Sequence, residues 1–278
     1  MDGGAIYSIA KKEFMDNWRN KWIIAVSAIF LILTLVISYF GSVGAGGVGW
    51  RDIDATILGM ITLVTLLVPI IGLMLGYATI VGEREKGSLE LMLSYPVERI
   101  EILVGKLFGL GAVMAAANFI GFGVAGVIIG INVKGVQWGN YMIFVLASIL
   151  LGFVFISIAM LFSAIFKKRS AAMGGAVFLW FFFEMIWNVV IAGVLTAKYG
   201  IEKLTDPNFI APNWYYVASL INPVKSYSAL VSLSIPSVSE FAENIPSFVN
   251  VPFNLAILLS WMGGMFVLTW YIFNKKDL

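Results

Sequence analysis

Six stretches of this chain are each long and apolar enough to cross a hydrocarbon core, which takes roughly 20 apolar residues in helical form. They run over Trp22–Phe40, Ile57–Val81, Leu107–Ile131, Tyr141–Phe166, Ala171–Leu195 and Asn254–Phe273. What remains between them leaves no room for a soluble core. The 278 residues are therefore read as one domain, an all-α polytopic membrane protein. Composition agrees: 12% of residues are charged, where a soluble domain carries about a quarter. Trp22–Phe40 is longer than the apolar region of a secretory signal, and a long polar segment precedes it. It is read as a span, although small residues follow at Gly41 to Gly47.

Two absences narrow the chemistry. There is no cysteine, hence no disulfide, thiolate metal site or cysteine nucleophile. There is no histidine, hence no imidazole ligand and no ordinary general base near neutral pH. The net charge of +2 has no aromatic-interleaved basic patch behind it, so nucleic acid is not an expected partner; the lipid bilayer is.

Lysine and arginine set the expected orientation. One set of loops holds Lys11, Lys12, Arg19 and Lys21, then Arg84, Lys86, Arg99 and Lys106, then Lys167–Arg169, then Lys275 and Lys276. The other holds Arg51, Lys134, Lys198, Lys203 and Lys225. The first set is expected to be cytoplasmic, with both termini, as an even number of spans requires. Gly41–Thr56 and Asn132–Asn140 are then short external links. Residues 197–253 form a long external loop that prolines cut into pieces. Asn213–Ile221 and Val224–Leu233 are the pieces expected to be helical, on or in the outer leaflet.

Two cytoplasmic segments are informative. Over Ile6–Lys21, Ile6, Ala10, Phe14 and Trp18 recur at helical spacing, with Lys11, Lys12, Asp16 and Arg19 largely opposite, as in an interfacial amphipathic helix. Residues 83–99 sit between spans two and three. Ser88 is the expected N-cap of a short helix. Leu89, Met92 and Leu93 form an apolar patch amid charge, and Pro96 stops the helix at Tyr95. A short rigid helix so placed suits docking into a groove on a cytoplasmic partner.

The run Glu83-x-x-x-Gly87-Ser88-Leu89-Glu90-x-x-Leu93-Ser94-x-Pro96-Val97-x-Arg99, followed by Gly105-Lys106, resembles the signature loop of ABC-2 type permeases. It is nearest to the branch that includes nitrous-oxide-reductase maturation permeases. The resemblance implies that this loop carries the coupling helix that plugs into an ATPase subunit. Its site residues would be Glu83, Arg84, Glu85, Gly87, Ser88, Leu89, Glu90, Met92, Leu93, Pro96 and Arg99. It makes the N-terminal segment, with its Lys12-Glu13 pair, the elbow helix, and the long external loop a place for short re-entrant helices. Asn222-Pro223-Val224 and Tyr227 are similar to a segment common there, with Lys225 where an acidic residue often stands. It further implies export, and a second permease subunit, identical or not. No Gly-x-x-x-x-Gly-Lys-Ser/Thr loop is present. ATP and Mg are thus expected on a separate ATPase, with no cofactor on this chain.

Inside the spans, Gly72/Gly76, Gly105/Gly109 and Gly126/Gly130 have the spacing that lets helices approach, and together they predict close packing of spans two and three. Glu184 is the one charge deep within a span. Twelve apolar neighbours gain ~4–7 kcal/mol on insertion against a cost of about 3 for the carboxylate. It is a candidate for the translocation path, or else pairs with Asn188 or Trp187. Trp138, Tyr141, Trp214, Tyr215, Tyr216, Trp270 and Tyr271 read as interfacial belts. An intramembrane enzyme would need paired acids or a nucleophile–base dyad that the spans lack. A membrane scaffold or assembly factor without transport activity is the alternative from another class.

Overall fold

A computed structural model describes residues 2–19, 21–40, 49–50, 52–133, 136–206, 209–235 and 245–275. The expected link Gly41–Thr56 therefore lies largely outside the described residues, as do Lys134, Arg51 and Lys276 and parts of the long loop, Pro207 and Pro236 among them. Helices account for the architecture, and there is no strand among the described residues.

α1 (Gly3–Arg19) is followed by α2 (Trp22–Phe40), α3 (Ile53–Gly76), the short α4 (Val81–Glu85) and α5 (Ser88–Leu93), then α6 (Arg99–Asn132) and α7 (Trp138–Ile165). α8 (Arg169–Phe181) continues through a π-helical turn at Phe182–Ile186 into α9 (Trp187–Tyr199). α10 (Ile201–Leu204), α11 (Asn213–Leu220) and α12 (Pro223–Leu233) lead to α13 (Val251–Lys275). Among the described residues, six helical units are long and apolar enough to cross a membrane: α2, α3, α6, α7, α8–α9 and α13.

Local chemistry fixes several ends. α3 begins four residues earlier than hydropathy marks it, because Asp52 caps it and accepts the Ala55 N–H at 2.7 Å. α6 begins at Arg99, where Glu98 and Glu101 form a reciprocal capping box. Gly87, not Ser88, precedes α5: its φ of 71° is a left-handed turn suited to glycine.

The glycine pairs are contact points, but with other partners than expected. A Cβ on Gly72 would lie 3.1 Å from the Gly152 carbonyl, and one on Gly76 2.7 Å from the Ala159 Cβ, so span two packs on span four. Gly105 and Gly109 receive α1, not a span: their Cβ positions fall 2.8 Å from the Ile9 Cβ and 2.7 Å from the Ala10 carbonyl. Gly126 and Gly130 meet the rings of Tyr141 and Trp138. Span three takes span one at Gly121, beside Phe30 and the Ser27 carbonyl. Tyr141 belongs to the core and not to a belt: it is buried and its hydroxyl donates to the Phe122 carbonyl at 2.6 Å. α12 also enters the core. Val224, Tyr227, Leu230 and Val231 are buried, and the Tyr227 and Ser148 hydroxyls share a hydrogen bond of 3.0 Å.

Candidate functional site: the α1–α4–α5 face

One end of the bundle gathers α1, α4, α5, the start of α6 and the α7–α8 turn. α4 is its node. The Ser163 hydroxyl of α7 accepts the N–H groups of Ile80 and Val81 at 2.9 and 3.0 Å. Arg169, at the start of α8, donates to the Gly82 carbonyl at 2.7 Å and pairs with Glu85 at 2.9 Å. A side chain on Gly82 would strike that guanidinium, with the nearest atom at 3.1 Å. Arg84 donates to the Phe166 carbonyl at 3.4 Å.

Beside α4 lies an ion cluster. The Lys106 ammonium, with 1% of its side chain exposed, sits 2.7 Å from Glu13 of α1 and 2.8 Å from Glu83 of α4. Lys12 adds a contact to Glu83 at 3.3 Å. Desolvation favours loss of its proton, but the attraction of Glu13, Glu83 and Asp16, with the Glu83 hydrogen bond, outweighs this and raises the Lys12 pKa. These charges border a polar cleft of about 600 Å³. It also takes in Thr79, whose buried hydroxyl has no partner within the chain.

α5 projects from this base. The Ser88 hydroxyl donates to the Glu83 carbonyl at 3.3 Å, tying the first residue of α5 to α4. Leu89 is buried against the chain's own core, and Met92 and Leu93 are half-buried. The apolar side chains that face outward are Leu91 and Tyr95, 67% and 68% exposed, with Glu90, Ser94 and Pro96 also exposed. The α5 patch expected to point outward thus points inward at Leu89. A six-residue helix has two sides, and its neighbours decide which side they cover. Arg99 lies away from α5 and donates to the carbonyls of Phe273 and Asn274 at 2.7 and 3.0 Å, joining α6 to the end of α13.

Glu184 is far from this face, on the π-helical turn. Neither expected partner takes its carboxylate. Asn188 donates instead to the Glu184 backbone carbonyl at 2.6 Å, and the Trp187 indole donates to the Ala218 carbonyl at 3.0 Å. The π-turn has a reason: the Phe183 carbonyl is held at 2.7 Å by the buried Asn222 amide. The Trp261 indole donates to the Ile221 carbonyl at 2.8 Å, so the α11–α12 turn is fastened to both the fifth and the sixth spans.

Residues that sequence reasoning did not single out include Glu13, Lys106 and Arg169 as pairing groups, Leu91 and Tyr95 as the exposed apolar pair, and Asn222 as the π-turn's partner. The Lys12-Glu13 and Gly105-Lys106 dipeptides were visible, but nothing in a linear pattern marks residues 93 positions apart as partners.

Residues 7–278 match the family model described as ABC-2 family transporter protein. The chain is 35% identical over 280 residues to a probable ABC transporter permease protein NosY of Stutzerimonas stutzeri, covering 98% of each chain. It is 33% identical over 282 residues to the protein of the same description from Pseudomonas aeruginosa, covering 98% of this chain and 99% of that one.

Proposed function

This chain belongs to the ABC-2 family of transporter proteins, and we propose that the exposed side of its α5 is where a separate ATPase engages it. Membership makes it the permease subunit of an ABC transporter, a multi-pass protein of the cell membrane. That subunit is non-catalytic, and ATP hydrolysis resides in another subunit.

The observation that carries the α5 reading is the pair Leu91 and Tyr95: two large apolar side chains left open outside the spans, on a helix whose other side is rooted by Leu89. Glu83, Arg84, Glu85, Gly87 and Ser88 fix how the helix stands. Glu90 and Pro96 rim the exposed pair, while Leu89, Met92 and Leu93 form its keel, and Arg99 links the segment to α13. In this reading the α1–α4–α5 face is cytoplasmic, in keeping with its excess of basic residues. ATP and Mg sit on the ATPase. A second permease copy, or a related subunit, completes the membrane part, and the direction is export.

Burying two side chains of this size is worth ~3–6 kcal/mol at full burial, enough to change affinity at least a hundredfold. Leu91→Ala with Tyr95→Ala is therefore expected to abolish copurification of the ATPase while the permease inserts and folds as before. Retention of the ATPase by this double variant at the parental level would remove α5 as its docking element. Leu89→Ala has a different expected effect: it opens a core cavity and lowers the stability of the chain itself by ~2–5 kcal/mol.

We assign Glu184 to the translocation path, supported by its place on a π-turn within a span. Glu184→Gln is expected to lower transport while ATPase binding persists. Unchanged transport would make its role structural.

A further inference from the structure

The Lys106 cluster is the point where α1, α4 and α6 meet, and the more exposed Lys12 of α1 adds a longer contact to Glu83 at 3.3 Å. Lys106 belongs to α6, Glu13 to α1 and Glu83 to α4, and all three side chains are largely out of solvent. One ammonium serves two carboxylates at 2.7 and 2.8 Å. Without it, Glu13 and Glu83 would face each other as like charges, largely out of solvent, with only the exposed Lys12 to offset their repulsion. Glu83 is also the residue whose backbone carbonyl holds Ser88 at the start of α5. On the other side α1 lies directly on α6, at Gly105 and Gly109, where no side chain fits between them.

We propose that Lys106 is the positioning residue of this face: by holding Glu13 and Glu83 at once, it makes α1 and the α4–α5 segment one mechanical unit, so that a partner pushing on α5 moves α1 with it. This deepens the α5 reading and rests on it for the identity of what pushes. The clamp itself belongs to the permease alone. Its geometry has a direct consequence. The α1-to-α5 distance is narrowly defined while the cluster is intact and becomes loose when the charges are removed, even if the fold is kept.

The chain has no cysteine, so paired spin labels can be placed without background. Tyr7 of α1 and Leu91 of α5 are both 67% exposed and suit labelling. The distance between them is measured by pulsed electron resonance in lipid nanodiscs, with labelled chain diluted into unlabelled chain. The parent is expected to give one narrow distribution. Lys106→Met is expected to broaden it, but that variant strands two carboxylates and risks misfolding. The deciding variant is therefore the neutral triple, Lys106→Met with Glu13→Gln and Glu83→Gln, which leaves no buried unpaired charge. It is expected to broaden the distribution at a melting temperature close to the parent's, an effect that loss of fold does not explain. A triple variant with the parental distribution overturns the proposal.

A second arm uses a label pair that leaves α5 unblocked, at Tyr7 and Lys86, with the ATPase bound and nucleotide cycled. The distance is expected to stay fixed in the parent; a nucleotide-driven change in it would also overturn the proposal. If the parent binds no ATPase, the docking reading fails, and the first arm still decides the role of Lys106.

Discussion

The fourth span and the last two are built for opposite surroundings. In the most apolar stretch of α7, 72% of residues are buried within the chain; in the fifth and sixth spans the figure is 11%. α7 is covered by large side chains such as Phe144 and Phe155, and lets neighbours come close at small ones: Gly152 and Ala159 toward α6 and α3, and Ser148 and Ser163 through hydrogen bonds to Tyr227 and α4. The last two spans carry Phe178, Met185, Val189 and Val267 outward instead. In lipid there is no hydrophobic force to drive helices together, so close fit decides which ones pack. The first half of the molecule therefore holds itself together by shape and by one ion cluster. The sixth span packs one side on α7 and α12, burying Leu258 and Phe273, and the fifth is joined through the Arg169–Glu85 pair and a few hydrogen bonds; both leave wide apolar surface for lipid or another chain to cover.

The largest expected effect is at the ion cluster. Lys106→Met leaves Glu13 and Glu83, each 14% exposed, opposed with only the exposed Lys12 ammonium beside them, a loss of roughly 3 kcal/mol. Thermal unfolding in detergent should show it directly, and an unchanged melting temperature would mean that the packed half does not depend on this charge. Next comes shape. Gly76→Ala puts a methyl 2.7 Å from the Ala159 Cβ and 2.9 Å from the Ile156 carbonyl. Neither atom can turn away, so α3 and α7 must separate, at ~1–3 kcal/mol. A stable Gly76→Ala protein would show that the two helices are less closely seated than the comparison requires.

A smaller effect tests how the last spans are attached. Trp261→Phe keeps the ring against Phe183 but removes the indole hydrogen bond to the Ile221 carbonyl. The expected cost is ~0.5–1.5 kcal/mol. The loosening should be local, seen as faster hydrogen exchange over the α11–α12 turn with little change over α7. Exchange that rises equally in both places would dissolve the distinction between a packed half and an attached one.

These regions differ in the same way in how far the sequence reveals them. Six spans and the two short helices α11 and α12 are legible because hydropathy and proline are properties of single segments. Helix ends are less so: α3 starts at a cap and not at the edge of an apolar run. The glycine pairs announce close approach but not to whom, since Gly105 and Gly109 look like any span-packing pair and in fact seat α1. Tyr141 has an interfacial residue's composition and a core residue's position. At the candidate site, the segment is readable and its outward side is not. Leu89 and Leu91 differ only in which one the neighbouring helices cover, and those neighbours come from distant parts of the chain. The π-turn under Glu184 has no local signature at all, because its cause is Asn222, in another helix pair.

The smallest expected effect is the most informative about what covers the open half. Gly263 lies in α13 and a Cβ built there meets nothing within 4 Å. Glycine in a helix interior costs roughly 0.5–1 kcal/mol relative to alanine through backbone entropy. Gly263→Ala in the dispersed chain should therefore raise stability slightly, opposite in sign to the same substitution at Gly76. The magnitude is near the limit of a melting experiment, so the sign of the pair is the observable. If the gain seen in the dispersed chain turns into a loss once the transporter is assembled, a neighbouring subunit approaches α13 as closely as α7 approaches α3. If the gain persists in the assembly, that face of the sixth span is covered by lipid and not by a closely packed subunit. A loss in the dispersed chain itself would mean that α13 is already closely packed there, and the contrast between the two halves would fail at this point.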